Sequence, residues 1–498
     1  MIGTLEVLTP SIVLVVFSIL TVPVIGLIKK RGGRCRTASL AWILSPFFAM
    51  GAGIFRLYSD YYSQAEKQPF VQVFLVDGGA VGLSSSFLVD AVSMYMAIVY
   101  LVFGFASCAY SFLKLKLEGE LSERFLSLFY VILGSTTAAT FSGDLLTLFI
   151  FWEASAAGSC FLIVYGKKPE AIEACLKYLV MIVIASGFIV YGLSVIYGLV
   201  GSLNFWTVRD SLASLNDKNL LMLAFALVAC GYAIETAVVP FHMWLPDAYA
   251  AAPSSSSAFL SSIVDQASYY VFMRVLVHIL TPPLVLDWTF ALAVFSALTM
   301  SAGNLFALAQ NNVKRMICYV CVADIGYNLA AITSVKPLGL LGNLYFFFVG
   351  GMTTALAFMV VGILNDLGFE TIEDFSGIGR NYPTTSLALV VAALSFSGIP
   401  PLAGFMAKYM VFTAALEADM AWLSVVGVLN SVLQAAYLIR LVHYMYAKPA
   451  SKIRGKERVD VLLPVYALVA LIIILGAYPS LALNAAYPAA KQLELLLP

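Results

Sequence analysis

Charge is scarce in this sequence. Over 498 residues Asp plus Glu number 28 and Lys plus Arg 28, so charged residues make up 11% of the chain and the formal net charge is zero. So thin and balanced a charge excludes nucleic acid or an acidic surface as an electrostatic partner, and the information lies in where each charge sits. Histidine is scarcer still: His242, His278 and His443 are the three present, and no two have the placement expected of haem ligands. The seven cysteines are scattered, mostly inside apolar runs, without paired spacing in polar loops, which predicts neither a disulfide framework nor a zinc site. Cys318 and Cys321 form a C-x-x-C, but they lie one helical turn apart in an apolar run with no second ligand pair nearby. Gly-rich phosphate loops are missing as well, so nothing here is built to hold a flavin, a nucleotide or an iron–sulfur centre. The expectation is a chain with no cofactor and no redox chemistry of its own.

What the chain has in abundance is apolar sequence. Hydrophobic residues are 61% of it, far more than one globular core can hide, so it must sit in lipid. A bilayer core of about 30 Å needs roughly 20 helical residues. Runs of that kind recur near 9–28, 38–57, 86–112, 122–143, 145–165, 174–200, 219–245, 255–280, 286–308, 316–334, 338–365, 384–415, 420–447 and 461–486. The pattern predicts an all-α integral membrane protein of about fourteen transmembrane helices. The first run is too long for a signal peptide and lacks a small-residue cleavage site, so it reads as a permanent helix.

Orientation follows from the loops, because Lys and Arg near helix ends stay cytoplasmic. Lys29, Lys30, Arg31, Arg34 and Arg36 follow the first span, and alternate loops repeat the bias with Lys114 and Lys116, Lys167 and Lys168, Lys314 and Arg315, then Lys448, Lys452, Arg454, Lys456 and Arg458. An even number of spans then leaves both termini on the non-cytoplasmic side. The longest outward connection, about 58–85, mixes Tyr, Val and Phe with Gly and predicts a short hairpin. Two spans are interrupted by proline: Pro240 breaks the seventh, and Pro400 with Pro401 the twelfth. Unwound backbone near the midplane needs water or ions as partners, so such breaks point to an ion pathway.

Several motifs then occur in order along the chain. Leu88-Val89-Asp90 opens the third span, and Phe151-Trp152-Glu153 lies in the fifth. Val239-Pro240-Phe241-His242-Met243-Trp244-Leu245-Pro246-Asp247-Ala248-Tyr249 and Ala252-Pro253 surround the first break. Asn312-Val313-Lys314-Arg315 leads to Asp324-Ile325-Gly326-Tyr327 in the tenth span, and Ser397 to Lys408 forms the second break. Together they resemble the antiporter-like subunits of the complex I, Mrp antiporter and membrane-bound hydrogenase superfamily, in motif most like the N-type subunit. The resemblance implies fourteen helices, with spans 4–8 and 9–13 forming two inverted five-helix repeats. The corresponding divisions are 1–121, 122–285, 286–447 and 448–498. It also implies a place in a multisubunit membrane arm beside further antiporter-like subunits and a redox peripheral arm.

An ionisable side chain at membrane depth is costly unless it faces protein, water or a partner, so each is a functional candidate. By resemblance, Glu153 matches the glutamate that pairs with a lysine on the seventh span, and Lys408 the terminal lysine of the second half-channel. Other positions depart from the family pattern. Where the lysine of the seventh span stands, this chain has Glu235, and alignment on Arg274 puts Asp265 or Gln266 at the lysine position of the eighth. The eleventh span carries Phe346, Gly350 and Thr354, with nothing to protonate, while Lys177 is expected near the cytoplasmic surface. His242 is expected to hydrogen-bond the broken helix, His278 to be interfacial, and His443, beside Arg440, to sit deep in the thirteenth span where it can carry protons between half-channels. Glu153, Glu235, Asp265, Lys408 and His443 are therefore the candidate pathway residues.

Three functions fit this set. One is a proton-conducting subunit of a redox-driven complex; another is a sodium or cation/proton antiporter module, since hard cations are held by oxygen ligands; the third is a degenerate homologue that scaffolds the membrane arm. Glu153, Glu235 and Asp265 together place three acids in one half-channel, where they cannot all be ionised, so either protons are held or a cation is bound.

Overall fold

In the computed structural model the described residues are 2–30, 35–65, 68–76, 84–118, 122–166, 168–215, 218–282, 285–449, 457 and 459–497. Arg31, Arg34, Lys167, Lys452, Arg454, Lys456 and Arg458 of the basic loops lie outside them. The chain opens with α1 (Thr4–Lys30), α2 (Cys35–Ala65) and two strands, β1 (Val71–Val76) and β2 (Ser85–Val89). The strands pair antiparallel, Val71 opposite Val89, so the expected hairpin exists, within narrower limits than 58–85. Then follow α3 (Ala91–Glu118), α4 (Ser122–Thr140), α5 (Leu145–Ile163), α6 (Pro169–Val200) and the short α7 (Phe205–Ala213). The first broken span is α8 (Asn219–Glu235) and α9 (Trp244–Ala251), and the next is α10 (Ser254–Phe259) and α11 (Asp265–Arg274). The rest are α12 (Thr289–Leu308), α13 (Val313–Thr333), α14 (Pro337–Asp366), α15 (Ile378–Asn381), α16 (Pro383–Phe396), α17 (Ala403–Glu417), α18 (Ala421–Ala447), α19 (Leu463–Ala477) and α20 (Ser480–Glu494).

Among the described residues nine helices are long and apolar enough to cross a membrane: α1, α2, α3, α5, α6, α12, α13, α14 and α18. The expected spans at 122–143, 219–245, 255–280 and 384–415 correspond to the 19-residue α4 and to interrupted helices. The last expected span, 461–486, is not one straight helix: α19 and α20 meet at 78°. Pro479 follows Tyr478 at that corner, and a proline disfavours helical backbone in the residue before it, here Tyr478 (φ −129°, ψ 70°). Beyond it, Gln492 of α20 accepts from Ala91 N at the start of α3 (2.5 Å), tying the end of the chain to its first third.

Exposure separates the helices by role. Leu5 and Ile19 of α1, Val180 and Val183 of α6, and Leu429 and Val432 of α18 are large apolar residues on the outside, the arrangement a lipid-facing helix requires. The apolar stretch of α13 is buried throughout, and that of α14 nearly so, which makes this pair the centre of the molecule. Close approach of α12 to α13 depends on two glycines. A Cβ on Gly303 would stand 2.6 Å from the backbone nitrogen of Ala323, and one on Gly326 would stand 2.6 Å from Cγ of Met300. The gap is small enough for Ser296 Oγ to donate to Gly326 O across it (2.7 Å).

The structure overturns the expectation drawn from cysteine spacing. Cys160, near the end of α5, and Cys175, near the start of α6, form a disulfide with Cα atoms 5.7 Å apart. The short turn between those helices returns the chain on itself, so residues fifteen apart become neighbours, which spacing in the sequence does not reveal. Cys318 and Cys321 are buried and unbonded.

Candidate ion pathway

Both breaks place a helix end inside the protein. α8 stops at Glu235, and the backbone passes through a left-handed Ala237 (φ 54°) and a cis bond before Pro240. α16 stops at Phe396, and the chain passes through Gly398 (φ 67°) and a cis bond between Pro400 and Pro401. A helix end leaves carbonyls without their usual partners. At the second break one of them is used: Phe396 O accepts from Nζ of Lys408, on α17, at 2.7 Å.

The first group of charges is on α5 and α8. Asp144 caps α5, accepting from Thr147 N (2.7 Å) and Ser86 N (2.7 Å). Burial raises the carboxyl pKa of Asp144, against the effect of these hydrogen bonds. The capped helix carries Trp152 and Glu153 side by side. Trp152 Nε1 donates to Oε2 of the buried Glu235, whose Oε1 has no hydrogen-bond partner among the described residues. Glu153 is half-buried, accepts from Ser186 Oγ on α6 (2.6 Å), and lies within interaction range of Glu235.

Asp265 continues the line. It begins α11 directly after a π-helical turn, Leu260–Val264, and π turns inside helices recur at functional sites. Glu235 and Asp265 line the same cavity of about 10 Å³, roughly the room one water needs, together with Ser159, Tyr178, Tyr249 and Ser268. Asp265 Oδ1 is also without a hydrogen-bond partner among the described residues. On its far side Asp265 interacts electrostatically with Asp324 of α13.

Asp324 leads on to Lys408, and the two line a second cavity of about 10 Å³ with Phe346, Gly350, Thr353 and Ser395. Lys408 spends its ammonium hydrogens on neutral acceptors: Phe396 O, Ser431 Oγ (3.3 Å) and Gln434 Oε1 (2.5 Å). Its Nζ also lies 4.3 Å from the centre of the Tyr327 ring. Thus the half-buried Glu153 and the buried Glu235, Asp265, Asp324 and Lys408 form one line that crosses from α5 to α17. α14 contributes walls to it through Phe346, Val349, Gly350 and Thr353, none of which is titratable.

Other expected positions fall elsewhere. His443 is exposed on α18, as is Arg440, so it does not sit in the interior between half-channels; one turn of a helix whose outer face is open carries it outward. His278, expected at an interface, is fully buried against Phe70, Phe205 and Trp206. His242 is stacked on Phe306 and interacts with the Pro240 backbone at the break, although neither ring nitrogen makes a complete hydrogen bond among the described residues. Gln266 is buried with Oε1 unpartnered among the described residues, and is not in the two cavities' linings. Lys177 is half-exposed and pairs with Glu173 (2.9 Å) and Asp247 (3.0 Å), as expected of a surface residue. Away from the line, Asp90 and Arg274 form a buried two-point ion pair (2.5 and 2.9 Å). A larger polar cavity of about 500 Å³ opens at the basic-loop end between Lys114, Lys168, Lys314, Arg315, Asp366 and Glu370.

Sequence reasoning missed Asp324 and Gln434 as site residues. Asp324 was visible as an acid in an apolar run, and Gln434 as a polar residue in a lipid-depth helix; neither signal says which way the side chain points.

Residues 142–434 match the sequence family described as "NADH:quinone oxidoreductase/Mrp antiporter, TM". The chain belongs to that family. The matched segment contains all five residues of the buried line, whereas His443 lies beyond it. Within the family the chain is an antiporter-like subunit of the N type. NADH-quinone oxidoreductase subunit N 2 of Acidobacterium capsulatum is 33% identical over 80% of this chain and 85% of its own length. F(420)H(2) dehydrogenase subunit N of Methanosarcina mazei is 30% identical over 82% of this chain and 85% of its own. Among solved structures, a chain of the membrane-bound sulfane sulfur reductase, an archaeal respiratory membrane complex, superposes with a TM-score of 0.84 at 26% identity, covering 97% of each chain.

Proposed function

We propose that this subunit conducts protons through two half-channels in the membrane arm of a redox-driven, complex I-like assembly, without a cofactor of its own. The observation that carries the reading is the pair of water-sized cavities, one shared by Glu235 and Asp265 and the other by Asp324 and Lys408. Ionisable groups at this depth persist where they handle charge, and a single water between two of them is enough for a proton to pass. The relatives described above are subunits of quinone-linked and F(420)H(2) dehydrogenases, which favours a redox-driven partner.

The cavity of about 500 Å³ among Lys114, Lys168 and Lys314 serves as the inner mouth, on the cytoplasmic side by the distribution of basic loops, with both termini opposite. Residues 122–285 and 286–447 act as inverted halves: the chain reaches the α8–α9 break from the end away from that mouth, and the α16–α17 break from the mouth's own end. Glu153 and Glu235 serve the first half, Lys408 the second, and Asp265 with Asp324 join them. Protons rather than sodium are our reading of the first cavity because it has room for about one water, although Glu235, Asp265, Ser159, Tyr178, Tyr249 and Ser268 bring oxygen-bearing side chains to it.

The test is redox-driven proton pumping by the intact complex in vesicles. Glu153→Gln and Lys408→Met should each abolish most pumping while the complex still assembles. Unchanged pumping in both would favour a scaffolding role.

A further inference from the structure

Lys408 and Asp324 are both buried and face one cavity, yet they are not joined directly. The reason is Gln434. An ammonium has three hydrogens to give, and those of Lys408 go to Phe396 O, Ser431 Oγ and Gln434 Oε1. Because the amide oxygen of Gln434 is turned to Lys408, its NH₂ end faces the other way, and the side chain interacts there with Asp324. Gln434 is fully buried in α18, and neither its Nε2 nor Asp324 Oδ1 has a complete hydrogen bond among the described residues. A neutral, non-titrating amide thus stands between a buried cation and a buried acid.

We infer that Gln434 is a positioning residue that keeps Lys408 and Asp324 apart, so that they exchange a proton through the cavity between them instead of closing into a fixed ion pair. The inference rests on the proton-conducting role proposed for Lys408. In the exchange, Nζ passes a proton to a water in the cavity as that water passes one of its own to the Asp324 carboxylate. The ammonium becomes an amine, the carboxylate becomes an acid, and the water is unchanged. If the two groups touch, opposite charges in a poorly solvated site stabilise each other and both resist neutralisation. Gln434 prevents this by occupying one ammonium hydrogen that would otherwise turn to the acid. The Tyr327 ring, 4.3 Å from Nζ, and the carbonyl at the α16 break hold the lysine from its other sides.

The intact complex, reconstituted in vesicles, tests this with Gln434→Met, Gln434→Glu and, as a control, Lys408→Met. Gln434→Met keeps the side-chain volume and removes the acceptor. It should lower pumping by roughly a hundredfold, the scale of loss when a reacting group moves by about an ångström. A structure of that variant should show Lys408 Nζ in direct contact with Asp324, a change that a purely packing role does not produce. Gln434→Glu keeps the shape and the acceptor but adds charge, and should lower pumping similarly in a complex that assembles normally. If Gln434→Met pumps at the wild-type rate, or its lysine and acid stay apart, the inference is wrong. Should Gln434→Met fail to assemble, wild-type pumping by Gln434→Glu overturns the inference and loss of pumping supports it. Full pumping by Lys408→Met would remove the functional reading and this inference with it, whereas loss there with normal pumping in both Gln434 variants would overturn this inference alone.

Discussion

Trp152 gives its single indole hydrogen to Oε2 of Glu235, which lines the cavity that Asp265 shares and whose Oε1 has no hydrogen-bond partner among the described residues. The bond joins α5 to the last residue of α8, at the point where the helix breaks. Trp152→Phe keeps most of the ring volume and deletes the donor. Stranding a buried acceptor costs about 1–3 kcal/mol. The purified complex should therefore melt earlier, and pumping should fall severalfold; a melting curve and a pumping assay on the same preparation check both.

Glu235→Gln and Asp265→Asn change charge without changing shape, each at one wall of the same cavity. Each should reduce pumping by at least about tenfold, a modest share of what positioned proton donors and acceptors contribute. Neither the wild type nor the variants should respond to sodium. Sodium-dependent transport in the wild type that disappears in the variants would show that the acids bind a cation, and would replace the proton reading.

The Asp90–Arg274 pair should matter for stability more than for conduction. It is fully buried, two-pointed, and distant in sequence, tying the start of α3 to the end of α11. Removing one partner from such a pair leaves an uncompensated charge and costs about 3–5 kcal/mol. Asp90→Asn should cut the yield of assembled complex sharply, measured by sizing in mild detergent, while the surviving complexes pump at near-normal rate.

His443→Ala should leave pumping within the error of the assay. The side chain is exposed on α18 and does not line the two cavities. Loss of pumping in that variant, with assembly intact, would extend the pathway past Lys408 to the outer face of α18.

Gly326→Leu should disrupt assembly. The added side chain would meet Met300 and the backbone of α12 at a crossing with no spare space, and overpacking of this kind costs about 1–3 kcal/mol. Lower melting temperature with unaltered pumping per assembled complex is the expected outcome.

Composition and periodicity alone place this chain in a membrane, because apolar runs of bilayer length need no tertiary information to be read. Pro240, Pro400 and Pro401 mark the breaks for a similarly local reason: a proline inside an apolar helix removes a hydrogen bond wherever it stands. Glu153, Glu235, Asp265 and Lys408 were legible as acids and a base at forbidding depth. What the sequence leaves open is direction. Whether a residue on a helix faces inward depends on which neighbour packs against it, and so His443, which reads as deep within a span, is outside, and His278, which reads as interfacial, is buried. The Cys160–Cys175 bond and the corner between α19 and α20 likewise depend on how the chain turns. Asp324 and Gln434 acquire meaning only when α13, α17 and α18 meet, because a set of interacting side chains drawn from three helices has no signature along any one of them.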